Sequence, residues 1–243
     1  MARIITLITD FLTTDGYMGA VYGVLKSINP DVEIITIASS IPPADLRKAA
    51  RAILNSYRFY PTGTVHMVVV DPTVGAKRRP ILVVDSRYYY VGPDNGVLSP
   101  VFTFDDEFEC YHIANPKYKL AADSHTFHGR DLFAPVAAYL TLGVPPSEFG
   151  PRIDDPVTLE DRPPETFGRE TVGRVVDIDA FGNLVTNIPA ELLQADSTII
   201  IAGGQIHGLS LSYVDVPEKQ PLAYIGSTGF LEIAINSGHA ANY

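Results

Sequence analysis

The chain has 243 residues, 46% of them hydrophobic and 19% charged, and a formal net charge of −10. These values describe one large or two modest globular domains with a substantial core, and the acidic balance argues against nucleic acid, whose phosphates need a basic stripe. A single cysteine, Cys110, excludes an internal disulfide and a cysteine-rich zinc site.

In chain order, residues 3–9 predict an apolar strand that ends at Asp10. Helical spacing over 16–28 (Met18, Val21, Tyr22, Leu25, Ile28) stops at Asn29-Pro30. Residues 32–37 predict a second strand, and Pro42-Pro43-Ala44-Asp45 caps a helix that runs to about Tyr57. Residues 64–70 give a third, strongly β-branched strand, followed by strands over 80–85, 87–91 and 107–113. Cys110 in the last of these reads as a small buried hydrophobe. A helix over 131–142 ends at Gly143-Val144-Pro145-Pro146. This alternation implies an α/β domain, a mostly parallel sheet with helices on both faces.

Residues 150–168 turn polar and proline-rich, the composition of a linker. Short strand candidates follow at 173–178, 184–187, 198–201, 222–225 and 230–235, separated by Gly, Pro, Asn and Asp turns. They predict an all-β C-terminal domain, a small barrel or a sandwich. The expected division is 1–160 and 161–243. No apolar run approaches the roughly 18 residues that span a bilayer, and the start of the chain is too short and strand-like for a signal peptide. The expectation is a cytoplasmic protein without membrane contact.

Asp10 lies just past the first strand and before a helix, a frequent ligand position in open α/β sheets, and its carboxylate suits the hydroxyl pair of a ribose. Helix capping explains Asp15 well and Asp10 poorly. The three-glycine dinucleotide fingerprint is missing, which argues against NAD or FAD. Asp71 ends the third strand at the same sheet edge, with Arg78 and Arg79 within reach beyond the turn Thr73-Val74-Gly75. Either a guanidinium partners that carboxylate or the segment is a surface turn with two solvated arginines.

Thr126-Phe127-His128-Gly129-Arg130-Asp131 opens the last helix. Of six histidines, His128 and His125 compete as the acid/base group. His66 reads as a core residue, while His112, His207 and His239 have no acidic neighbour pattern. An acid, a guanidinium and an imidazole that meet there can bind and deprotonate a water. Asp94, in Gly92-Pro93-Asp94-Asn95-Gly96, fits a tight turn as well as a function. In the β half, Asp179-Ala180-Phe181-Gly182-Asn183 offers a carboxylate, an aromatic face for a purine and an amide for its edge. A β-turn beside a core phenylalanine is the other reading. Ser227 opens a loop before a strand in which Glu232 is an odd charge.

Thr9-Asp10-Phe11, Val69-Val70-Asp71-Pro72 through Arg78, Gly92 to Gly96, Thr126 to Asp131, Phe181-Gly182-Asn183 and Leu231-Glu232-Ile233-Ala234 occur in this order. Together they resemble the S-adenosylmethionine hydrolase (adenosine-forming) family, also called SAM hydroxide adenosyltransferases, relatives of the fluorinase and chlorinase. The resemblance covers nearly the whole chain. It implies cleavage of S-adenosylmethionine by water at the ribose 5′ carbon, giving adenosine and methionine, with no metal and no cofactor. It also implies a homotrimer that binds substrate between one subunit's α/β domain and its neighbour's β domain.

The family's catalytic set falls on Asp71, Arg78 and His128. The halogenases carry tyrosines at the positions of Asp71 and His128, and an extra loop between them, which points here to water rather than halide. Asp10 would hold the ribose hydroxyls, while Phe181, Asn183 and the backbone around Ile235 to Ser237 would contact adenine. Asp71, Asp179, Ser227 and Glu232 would lie near the substrate as well. Leu12 and Thr73 stand where the family usually has glycine, and His239 where it has asparagine, departures that predict reshaped loops around ribose and adenine. Two other readings of the same residues are a metal-dependent nucleotide phosphohydrolase built on Asp10, Asp15, Asp71, Asp94 and His128, and a non-catalytic module that binds adenosine or S-adenosylmethionine.

Overall fold

Near-continuous apolar, β-branched runs become strands buried on both faces, β1 (Ile4–Thr9) and β3 (Val65–Val69). The computed structural model describes residues 4–103, 107–120 and 124–242, so Arg3 of the first expected strand lies outside the described residues. Two units are resolved by internal contacts, Met1–Leu159 and Glu160–Tyr243.

In the first unit, β1, β2 (Glu33–Ala38), β3, β4 (Pro80–Val84), β5 (Tyr89–Pro93), β6 (Glu109–His112) and β7 (Arg152–Ile153) form one sheet in the order β2-β1-β3-β5-β4-β6-β7. Neighbours β2, β1, β3 and β5 are parallel, whereas β4, β6 and β7 pair antiparallel. The sheet is therefore mixed, which corrects the mostly parallel expectation. The reason is connection length: only residues 85–88 separate β4 from β5, and a parallel crossover needs about a dozen or more.

Alternation along the strands splits the core. Ile5, Leu7, Met67 and Val69 pack with α1 (Tyr17–Ile28) and α3 (Ala134–Thr141) on one face. Ile8, Val68 and Val70 pack with α2 (Leu46–Ser56) on the other. Ile53, fully buried on α2, is the kind of residue whose truncation to alanine costs ~2–5 kcal/mol. Asp45 caps α2 by accepting from the Lys48 amide at 2.9 Å.

Chain order places β2 and β3 on opposite sides of β1. The first crossover thus runs one way and the second the other, opening a crevice beyond the ends of β1 and β3. The last helix begins earlier than its periodicity predicts: a π-helical turn, Gly129–Phe133, precedes α3. Such single π turns recur at functional sites.

In the second unit, β10 (Val175–Ile178), β11 (Leu184–Pro189), β15 (Phe230–Ile235) and β14 (Pro221–Ile225) form an antiparallel sheet in that spatial order. A hairpin of β12 (Thr198–Ile201) and β13 (Gly204–His207) contributes Ile199 and Ile206 to a small core with Ala223, Leu231 and Ile233. Part of the expected linker is a second hairpin, β8 (Glu165–Phe167) with β9 (Glu170–Val172). Three-residue strands of mixed polarity are too short to show a period, which is why composition hid them. No helix among the described residues is long and apolar enough to cross a membrane.

Candidate functional site

Asp10 follows directly on β1 and Asp71 follows β3 after one intervening residue, at strand ends where Thr9 is in register with Val69. They share the crevice edge. Burial holds the Asp10 carboxyl above the usual carboxylate range, and the nearby Asp71 charge adds to that, partly opposed by the Ala44 amide 3.4 Å from Asp10 Oδ2.

Arg78 returns to Asp71 across the turn at Gly75. Its Nε donates to Asp71 Oδ2 at 2.8 Å, and its Nη2 bonds the same oxygen. Thr73 Oγ1 donates to the other oxygen, Oδ1, at 3.2 Å. The ion pair is nearly sealed, with side-chain exposures of 7% for Arg78 and 5% for Asp71. Gly75 is required here: its φ is +79°, and a Cβ would stand 2.5 Å from the His125 carbonyl oxygen. The arginine turn is thereby pressed against the segment that carries the histidines.

The two candidate histidines differ in their surroundings. His125 is exposed and offers its backbone to Gly75, whereas His128 Nδ1 lies 2.7 Å from Arg78 Nη2. A guanidinium is always a donor. Nδ1 must therefore accept, and in the neutral ring the proton sits on Nε2. Phe133 lies under the Arg78 guanidinium at 5.4 Å from its centroid, and sequence reading missed it. Gly129 is held to a bare backbone by packing, since a Cβ there would meet the Phe11 ring at 2.9 Å. Phe11, Tyr17 and Phe127 form an edge-to-face cluster beside it, also unforeseen.

The second arginine does something else. Arg79 Nε donates to Asp94 Oδ2 at 2.8 Å, and Asp94 Oδ1 accepts from the Val157 amide at 2.7 Å. Asp94, 5% exposed, is thus a structural anchor of its turn. Asp15 accepts from the Tyr17 amide at 3.4 Å, close to the capping role expected of it. Among the described residues no group of three or more His, Cys, Asp or Glu is gathered as for a metal ion. His66 is a core residue, Thr6 Oγ1 being 2.7 Å from its Nδ1, and burial lowers its pKa to about 3. Burial pushes the Cys110 thiol up to about 12, so it is a poor nucleophile.

In the second unit, Asp179 Oδ1 accepts from the amides of Phe181 and Asn183 at 2.8 and 2.9 Å, and its Oδ2 from Asn183 Nδ2 at 2.8 Å. This clamp leaves Phe181 76% exposed, a bare ring in place of the core phenylalanine of the other reading. Gly182, at φ +81°, sits where a Cβ would be 2.2 Å from the His239 ring, so the His239 loop and the Phe-Gly-Asn turn are packed face to face. Ser227 is exposed at the β14–β15 turn, and Glu232 lies on β15 beside it. Ile235 ends β15 nearly buried, and Ser237, at φ +52°, gives its carbonyl to Lys219 Nζ. Tyr213 and Tyr224 join Asn183 to Glu232 and were not singled out by sequence. Pairing the strands of the 221–235 hairpin would have placed Tyr224 opposite Glu232.

Comparison with known proteins agrees in both units. The sequence profile of the SAM hydroxide adenosyltransferase N-terminal domain matches residues 5–150, and that of the C-terminal domain residues 173–243. The chain is 36% identical to an (R)-S-adenosyl-L-methionine hydrolase of Thermus thermophilus, over 98% of this chain and 94% of the relative. It is 35% identical to one of Methanocaldococcus jannaschii, over 95% and 88%. A fluorinase of an Actinoplanes species is 28% identical, over 98% and 92%. A crystal structure of an uncharacterized conserved protein from Thermotoga maritima superposes with a TM-score of 0.91 at 35% identity, covering 98% of this chain and 94% of that one. On these matches the chain belongs to the SAM hydroxide adenosyltransferase family.

Proposed function

We propose that the protein is a metal-independent hydrolase that cleaves S-adenosyl-L-methionine to adenosine and L-methionine. The observation that carries this reading is the Asp71–Arg78–His128 contact at the crevice edge, in a chain of this family. The oxygen of water forms a bond to the ribose 5′ carbon as the carbon–sulfur bond breaks. The electron pair returns to sulfur, methionine leaves as a neutral thioether, and a proton passes to solvent. A sulfonium is a good leaving group, so the enzyme's task is to hold and ionise the nucleophile in line with that bond.

In this proposal the Arg78 charge favours the ionised form of an adjacent water. Asp71 holds the guanidinium in place, and His128 donates from Nε2 to the nucleophile. Asp10 accepts from the ribose hydroxyls. Phe181 and Asn183 take the adenine with the backbone around Ile235 to Ser237, while Asp179, Ser227 and Glu232 lie near the substrate. The assembly is a homotrimer, with the two groups of residues supplied by neighbouring copies, as the family resemblance implies.

Incubation of the pure protein with S-adenosylmethionine in ¹⁸O-labelled water tests the reaction. Adenosine carrying label at its 5′ oxygen is the expected result, and unlabelled adenosine or no cleavage overturns it.

A further inference from the structure

Hydrogen bonds run unbroken from Asp179 to Glu232. Asn183 Nδ2 lies 2.8 Å from Asp179 Oδ2 and 3.1 Å from the Tyr213 hydroxyl. That hydroxyl is 3.0 Å from the Tyr224 hydroxyl, which is 2.5 Å from Glu232 Oε2. Ionised carboxylates only accept, so both ends of the track fix its direction. Tyr224 gives its proton to Glu232, and its oxygen then accepts from Tyr213. The Tyr213 oxygen in turn accepts from Asn183, whose second N–H goes to Asp179.

Both amide hydrogens of Asn183 are thereby committed. Turning the amide over would set Oδ1 against an Asp179 oxygen, acceptor against acceptor. What Asn183 can still offer is Oδ1, which accepts no hydrogen bond from any described residue and is not among the sealed, unpartnered atoms. The far end of the track is equally constrained. Tyr224 and Glu232 are register partners on β14 and β15, and a Cβ on Gly226 would stand 2.0 Å from Glu232 Oε1. Burial, then the Glu232 contact, raises the Tyr224 hydroxyl pKa, which keeps it a proton donor.

We propose that Asp179 and the track through Tyr213, Tyr224 and Glu232 jointly lock Asn183 as a hydrogen-bond acceptor, with the two tyrosines and Glu232 as positioning residues, and that the base site therefore selects a 6-aminopurine nucleoside over a 6-oxopurine one. The inference rests on the reading of Asn183 as an adenine contact. The amino group of adenine gives an N–H to Oδ1; the oxo group of hypoxanthine would face it lone pair to lone pair. A desolvated acceptor left without a donor is worth on the order of 10- to 100-fold in affinity.

The test is calorimetric binding of adenosine and inosine to the full chain, with kcat and KM for S-adenosylmethionine, in the wild type, Tyr224→Phe and Glu232→Gln. Wild type should bind adenosine about 10- to 100-fold more tightly than inosine. Tyr224→Phe cuts the track while leaving Glu232 in place. Glu232→Gln can donate to the Tyr224 oxygen and let the hydroxyl chain run backwards. Both should compress the adenosine-to-inosine ratio several-fold and raise KM more than they lower kcat, at unchanged melting temperature.

Equal binding of the two nucleosides by the wild type overturns the proposal. So does an unaltered ratio in both folded variants, or compression in Glu232→Gln alone, which would mark a direct contact of that carboxylate with substrate. A protein that binds neither nucleoside and leaves S-adenosylmethionine intact overturns the hydrolase reading as well. Turnover of S-adenosylmethionine without discrimination overturns only the lock.

Discussion

Replacing His128 separates two ways an imidazole can serve a water nucleophile. The Arg78 N–H at 2.7 Å occupies Nδ1, so the neutral ring carries its proton on Nε2 and acts as a donor. Removing a donor aimed at developing charge costs about 10²- to 10³-fold in turnover, or ~2.7–4 kcal/mol, and His128→Ala should lose this much. Asparagine sets its Oδ1 near the place of Nδ1 and can keep the arginine contact, but it has no N–H at the Nε2 position. Glutamine sets its amide nitrogen there. His128→Gln should therefore recover about tenfold over His128→Ala, while His128→Asn stays low. The assay is initial-rate release of adenosine by chromatography at saturating S-adenosylmethionine. If glutamine is as inactive as alanine, His128 acts as a base through a nitrogen that Arg78 must release, and the donor reasoning fails. Near-normal turnover in the alanine variant removes His128 from the chemistry altogether.

Three further outcomes are expected. Arg78→Met leaves the Asp71 carboxylate buried and unpaired, which costs ~3–5 kcal/mol and lowers the melting temperature by about 10 °C. Adding Asp71→Asn should return much of that loss in calorimetry, and a double variant no better than the single one contradicts the coupling. His66 is neutral in the folded chain down to about pH 3, whereas the unfolded chain protonates it near 6.5, so stability falls as pH drops from 6.5 toward 3. The slope contributed is at most ~1.4 kcal/mol per pH unit. His66→Leu should flatten this decline in urea midpoints, and an unchanged decline assigns it to other groups. Light scattering should give three times the mass of one 26.4 kDa chain. Inactive His128→Ala and Asp179→Ala proteins should regain activity when co-refolded; if only a monomer is found, or mixing restores nothing, the shared-site trimer is wrong.

The parallel core of the first unit was legible because strands buried on both faces write themselves as apolar runs, and β1 and β3 do so. Where a strand's partner is chosen by loop length the composition says little, so the antiparallel placing of β4 and β6 went unread. The same distinction holds at the site. Asp10, Asp71 and Arg78 could be found from sequence because strand ends and a short turn bring them together locally. What sets His128 apart from His125 is one long-range contact, its Nδ1 against Arg78 Nη2, and no local pattern encodes that.

Tyr213 and Tyr224 mark the limit more sharply. Neither lies in a segment whose sequence points to a site; the Asp215 beside Tyr213 belongs to a capping box with Ser212. Their meaning arises from polarity rather than identity, because a carboxylate at each end of a hydroxyl chain leaves a single arrangement of protons. Read alone, Asn183 can donate or accept, and a sequence reading leaves both open. The register that sets Tyr224 opposite Glu232 fixes the direction of the hydroxyl chain, so the face that Asn183 presents depends on how β14 pairs with β15.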